Sequence, residues 1–150
     1  MEKAYQSTYR IRVMIADDRR EMRDFLQRHL EQLDDVEIVG QAKDGNAALI
    51  MAQQITPDVI LMDLDLPVIS GLAATRLIRS RFPDIRIVVF SLHTDRWTVR
   101  SVIEAGAIGY VAKDSSPSQL GRAIRNAYDN QLYVSEQLEN ALRPYSLNEQ

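Results

Sequence analysis

Residues 58–71 read DVILMDLDLPVISG, and this stretch decides the fold class. Residues 58–62 are almost continuously apolar; Asp63 ends the run, and a loop carrying Pro67 and Gly71 opens a helical pattern. That helix turns Leu72, Thr75 and Ile78 inward and ends before Pro83. A short apolar run without polar alternation fits a strand buried on both faces, as in parallel sheets covered by helices. The same unit repeats outward in both directions. Upstream, Ile11–Ala16 (IRVMIA) reads as a strand, and residues 19–33 space Met22, Phe25, Leu26, Leu30 and Leu33 as a helix does. Val36–Ala42 (VEIVGQA) is extended again. Asp44 then caps a helix with Ala47, Ala48, Met51 and Ile55 inward, which Pro57 stops. Downstream, residues 85–90 (IRIVVF) and 108–112 are strands. Between them lies a helix over 95–105 with Val99, Val102 and Ile103 inward and Gly106 just past its end. A last helix starts at Pro117 in its first turn and carries Leu120, Ala123, Ile124 and Ala127. Five strands alternating with five helices predict a doubly wound α/β domain, a five-stranded parallel sheet with helices on both faces.

Composition agrees and narrows the function. A chain of 150 residues, 45% hydrophobic and 26% charged, is globular rather than disordered or fibrous. At that size a single core buries roughly 70% of the unfolded surface. Eighteen basic against 21 acidic residues give a net charge of −3, without the basic excess that gripping a phosphate backbone requires. With no cysteine and two histidines, His29 and His93, thiolate chemistry and imidazole-rich metal sites are excluded, and any metal should be a hard, oxygen-liganded ion. No apolar run reaches 18 residues and the start MEKAYQSTYR has no signal-peptide core. A cytoplasmic location without membrane contact is the default expectation.

In doubly wound sheets, ligands bind at the carboxyl ends of the strands, where the strand order reverses. Here those ends present Asp17 and Asp18, Asp63, Ser91 and Lys113. Converging carboxylates repel unless a cation is present, and an oxygen-only donor set with few protein ligands suits Mg2+. A carboxylate beside a metal, an ammonium and a hydroxyl can accept a phosphoryl group, with Asp63, on the central strand, as nucleophile. Each residue also has a plainer reading: the acid pair as a helix cap, Asp63 as a turn residue, Ser91 as a cap and Lys113 as a solvated surface lysine. Their shared placement on one sheet edge favours a single site.

Asp17-Asp18, DLDLPVISG at 63–71, VVFSLH at 88–93 and GAIGYVAKDSSP at 106–117 together resemble a response-regulator receiver domain, and the resemblance covers roughly residues 11–130. Within that family the chain is most similar to the NarL/FixJ group, whose pattern is carried by Gly106, Ala107, Gly109, Tyr110, Lys113, Asp114 and Pro117. The resemblance implies a flavodoxin-like receiver fold and phosphorylation of Asp63 by a histidine kinase or phosphotransfer protein. Mg2+ (or Mn2+) would be held by Asp17, Asp18, Asp63 and the backbone carbonyl of Asp65. Lys113 and Ser91 would hold phosphoryl oxygens, and Tyr110 would swing toward the space that Ser91 vacates. The chain would be a signalling switch rather than an enzyme, with Mg-dependent self-phosphorylation from small donors and self-dephosphorylation.

Leu92 stands where many receivers carry a small residue, which would crowd the approach to Asp63; His93 reads as a rim residue and Trp97 as packing. Residues 1–10 read as a flexible arm, 11–130 as the receiver and 131–150 as a linker or short helix with Ser135, Leu138, Ala141 and Leu142. In the NarL/FixJ group a helix-turn-helix output domain follows such a linker, so the expectation is the receiver half of a transcriptional regulator. DNA would be reached only through an output domain outside these residues, and a homodimer on phosphorylation is compatible with the sequence. A stand-alone receiver or a pseudo-receiver acting through protein contacts is a second reading. A third is a Mg-dependent phosphohydrolase, for which Asp63-Leu64-Asp65 mimics the D-x-D pair but no cap insertion is present.

Overall fold

The computed structural model describes residues 9–143. In chain order the elements are β1 (Ile11–Ala16), α1 (Arg20–Glu31), β2 (Val36–Ala42), α2 (Gly45–Ile55), β3 (Val59–Met62), α3 (Gly71–Arg81), β4 (Arg86–Ser91), α4 (Arg96–Glu104), β5 (Gly109–Ala112), α5 (Ser118–Tyr128) and β6 (Tyr133–Val134). A 3-10 helix, Glu136–Leu142, follows. All pairings are parallel, in the order β2-β1-β3-β4-β5-β6. The order reverses between β1 and β3, so the crevice lies between the ends that carry Asp17 and Asp63.

Period-2 alternation survives in the strands although both faces are covered. Met14, Ala16, Ile60, Met62, Ile87 and Val89 face α2, α3 and α4, where they meet Ala48, Ala52, Ala74, Ile78, Val99 and Val102. Val13, Ile15, Leu61, Val88 and Val111 face α1 and α5, against Leu26, Leu30, Leu120, Ala123 and Ile124. Each fully buried Leu or Ile contributes about 1.5–3 kcal/mol by leaving water. Helix starts are set by side chains that take up backbone N–H groups: Asp44 accepts from Ala47 N, Ser70 from Ala73 N and Asp95 from Thr98 N.

Two expectations, the strand count and the packing of Trp97, need correction. The sheet has six strands rather than five; β6 is two residues long, too short for any hydrophobic period to reveal, and is held by Tyr133 N to Ile108 O (3.1 Å) and Ser135 N to Tyr110 O (2.9 Å). Phe25 is exposed on the flank of α1, stacked on His29, because a 12-residue helix over one sheet face buries only Leu26 and Leu30 fully. Trp97 is 73% exposed on the first turn of α4 rather than packed, since Val99 and Val102 take that helix's inner face. No helix among the described residues is long and apolar enough to cross a membrane.

Candidate functional site

Parallel strands that end together deliver Asp17, Asp18 and Asp63 to one spot, where one carboxylate oxygen from each lies within 4.8 Å of the others. Asp63 follows β3 directly and is anchored by its N–H to Ala16 O at 2.9 Å; Asp17 follows β1, anchored to Ala42 O at 3.0 Å. The loop after Asp63 folds back so tightly that a Cβ on Gly71 would sit 2.1 Å from the Asp63 carbonyl oxygen, which only glycine tolerates. Gly71 N donates to Leu64 O at 3.0 Å and closes this turn.

Asp63 does make the turn contact of its plainer reading, accepting from Asp65 N at 3.3 Å, but the plainer readings of the other residues do not match their contacts. Helix α1 is entered through Arg19, and Asp17 Oδ1 accepts from Arg19 N at 2.9 Å outside the helix, so the acid pair is not its N-cap. Asp95 rather than Ser91 caps α4. Lys113 is no surface lysine: its side chain is 10% exposed, with Nζ 3.1 Å from Asp17 Oδ2 and 3.4 Å from Asp63 Oδ1, over the Phe90 ring. Its N–H is fixed to Ser91 O at 2.8 Å.

Burial raises the Asp63 carboxyl above its usual range, against the pull of the Lys113 ammonium, and the Asp17 charge adds to the rise. The pocket therefore carries three carboxylates against one contacting ammonium, all ligand atoms being hard oxygens. That donor set fits Mg2+ or Mn2+ and no soft metal.

Ser91 is fully buried and its Oγ accepts from His93 N at 3.0 Å. Tyr110 is also fully buried, and its hydroxyl donates to His93 O at 2.7 Å; burial pushes the phenol up to about 12. The Asp65 carboxylate turns away from the acid cluster to His93, whose Nε2 lies 2.9 Å from Oδ1, and this bond raises the imidazole. Leu92, expected to crowd Asp63, is exposed. Sequence reasoning missed the Arg23 guanidinium, which donates to Asp17 O at 2.8 Å; it placed Ser135 at a short helix, where the 3-10 helix does begin, but not the contact of its buried Oγ, which accepts from Ala112 N at 3.0 Å. Neither contact has a sequence signal, since Arg23 is a polar residue on a helix flank and the helix-start pattern at Ser135 does not say which strand its hydroxyl meets.

Comparisons with known proteins agree with this geometry. The family model described as a response regulator receiver domain matches residues 13–125. The response regulator GacA of Pseudomonas viridiflava is 36% identical over 88% of this chain, and UvrY of Escherichia coli K12 is 34% identical over 85%. The chain spans 62% and 59% of the lengths of these two relatives. Among solved structures, a two-component response regulator of the LuxR family from Aurantimonas sp. SI85-9A1 superposes with a TM-score of 0.85 at 32% identity, covering 88% of this chain and 94% of that one. The fold with its acid-lined strand ends, the family match and these relatives together place the chain in the response regulator receiver domain family.

Proposed function

We propose that Asp63 is the phosphoacceptor of this receiver and that a histidine kinase or phosphotransfer protein is its donor. The observation that carries the reading is the Lys113 ammonium between Asp17 and Asp63, within a cluster of three carboxylates at the switch point of the sheet. In the transfer, an Asp63 carboxylate oxygen forms a bond to phosphorus while the donor's P–N or P–O bond breaks. The electron pair leaves with the imidazole or carboxylate, and an aspartyl phosphate remains. Lys113 Nζ, freed from Asp63, holds a phosphoryl oxygen as a point charge. Asp17, Asp18, Asp63 and the Asp65 carbonyl would hold Mg2+ or Mn2+, which supplies neutralisation of phosphoryl charge when bound. The buried Ser91 hydroxyl would donate to another phosphoryl oxygen, exchanging its acceptor role toward His93 N for a donor role.

That exchange links the site to Tyr110, because the His93 backbone gives its N–H to Ser91 and its carbonyl to the Tyr110 hydroxyl. A shift of the 91–93 turn changes what holds the ring, and signalling is a population shift between the two arrangements. In this reading the receiver runs from β1 through the 3-10 helix, since β6 joins the sheet and Leu138 and Ala141 enter its core, and DNA would be contacted through an output unit. The arm expected over 1–10 and the linker expected over 131–150 lie outside the described residues at 1–8 and 144–150. Self-phosphorylation from acyl phosphates and self-dephosphorylation follow from the same groups.

Intact mass after incubation with acetyl phosphate and Mg2+ tests the reading. Wild type should gain a phosphoryl adduct that EDTA prevents and Asp63→Asn lacks. An adduct of equal yield on Asp63→Asn would overturn the assignment.

A further inference from the structure

Lys113 sits between two anchored neighbours, and both anchors come from far downstream. Ser135 is polar yet fully buried. Its Oγ accepts from Ala112 N at 3.0 Å and lies 3.2 Å from Ser115 Oγ, and its own N–H donates to Tyr110 O at 2.9 Å. Two residues on, Gln137 Nε2 donates to Asp114 Oδ1 at 2.8 Å. The pairing of β5 with β6 stops at Tyr110 and Val134, so the next N–H of β5 on that side, from Ala112, would face no backbone acceptor. The Ser135 hydroxyl supplies the missing rung at the residue before Lys113. A buried N–H left without a partner costs about 1–3 kcal/mol, so loss of the hydroxyl drives this strand end to move. The seat of the segment is firm: Leu138 and Ala141 are buried in the core shared with α4, and Arg100 Nε donates to Ala141 O at 3.2 Å.

We propose that Ser135, aided by Gln137, is a positioning residue for the Lys113 ammonium, so that the segment after α5 sets how well the acid pocket accepts a phosphoryl group. Lys113 reaches Asp17 and Asp63 from a four-residue turn, residues 112–115, of which Ala112, Asp114 and Ser115 are all held by Ser135 or Gln137. With the turn loosened, Nζ no longer meets the transferring group at a fixed distance. Transfer depends on such positioning, because the protein supplies little covalent chemistry of its own. The proposal rests on the reading of Asp63 as acceptor.

The test follows adduct formation by intact mass with acetyl phosphate and Mg2+. In the reaction the P–O bond to acetate breaks, acetate leaves with the electron pair, and an Asp63 oxygen–phosphorus bond forms. Ser135→Ala should slow the reaction about tenfold, the modest end of what sub-ångström misplacement costs. Ser135→Thr, which keeps the hydroxyl, should recover most of the rate, and exposed Gln137→Ala should slow it about twofold by the same reasoning. Both slowings should vanish in a Lys113→Ala background, a non-additivity that a general loss of structure does not produce. Urea midpoints confirm that each variant is folded; if Ser135→Ala is not, Gln137→Ala with and without Lys113 decides. Wild-type rates in both variants, or equal slowing in the Lys113→Ala background, would overturn the proposal and leave Asp63 as acceptor intact. A wild type that takes no phosphoryl group would instead remove the acceptor reading and this proposal with it.

Discussion

The two edges of the sheet handle acid in opposite ways. At the amino edge two carboxylates have partners of their own: Asp35 receives two hydrogen bonds from the Arg125 guanidinium, at 2.7 and 3.0 Å, and Asp58 accepts from Arg12 N and the Tyr9 hydroxyl. Arg125 holds the Asp35 carboxyl below the usual carboxylate range. At the carboxyl edge, Asp17, Asp18 and Asp63 converge, with Lys113 in contact with Asp17 and Asp63 alone, and burial lifts Asp63 instead. One edge is arranged for the fold and the other is left short of positive charge. An uncompensated cluster lowers stability by itself, and perturbed groups of this kind gather at functional sites, so the carboxyl edge is where an added cation would complete the charge balance.

The largest effect expected on this contrast comes from Gly71→Ala, which drives a methyl into the Asp63 carbonyl. A loss of about 3 kcal/mol or more is expected in urea unfolding, as for other backbone clashes at special sites. A near-neutral result would mean that the carboxyl edge is not rigidly built. Lys113→Ala removes the ammonium and leaves two buried acids facing each other. It should cost about 3 kcal/mol in EDTA, the low end for broken buried pairs, and Mg2+ should restore much of it. A midpoint equally insensitive to Mg2+ in wild type and variant would erase the distinction between the edges. Asp35→Asn should cost about 1 kcal/mol or less, since the Arg125 pair is exposed to solvent. Because the Asp35 carboxyl is lowered when folded, its contribution is present above the ordinary value of 3.8 and is lost as pH falls through the folded value. Wild type and variant should therefore differ at neutral pH and converge in acid.

Much of this contrast is legible in the sequence, for identifiable reasons. The strands are short and apolar and the helices carry 3.6-residue spacing, so element types follow from period alone, and the carboxyl-edge acids follow from strand direction. What period cannot reach is pairing that depends on single residues. Strand β6 is two residues long, Ser135 is one hydroxyl, and the partnership of Asp35 with Arg125 spans 90 positions. Helix α2 shows the same limit on a smaller scale: Ala52 is fully buried, whereas Met51 and Ile55 are only half-buried. Small residues allow the helix to approach the sheet, and the long side chains then spread along the rim. The Asp65–His93 contact bridges two loops whose relative placement no local pattern encodes.

The most direct test of the central claim is the thermal midpoint of wild type and Asp63→Asn, each in EDTA and in millimolar Mg2+. If the carboxyl edge lacks positive charge, Asp63→Asn should be more stable than wild type in EDTA, and Mg2+ should raise the wild-type midpoint while moving the variant far less. Equal midpoints for both proteins in EDTA, with no response of wild type to Mg2+, would show that the three acids are as fully compensated as Asp35 and would contradict the account.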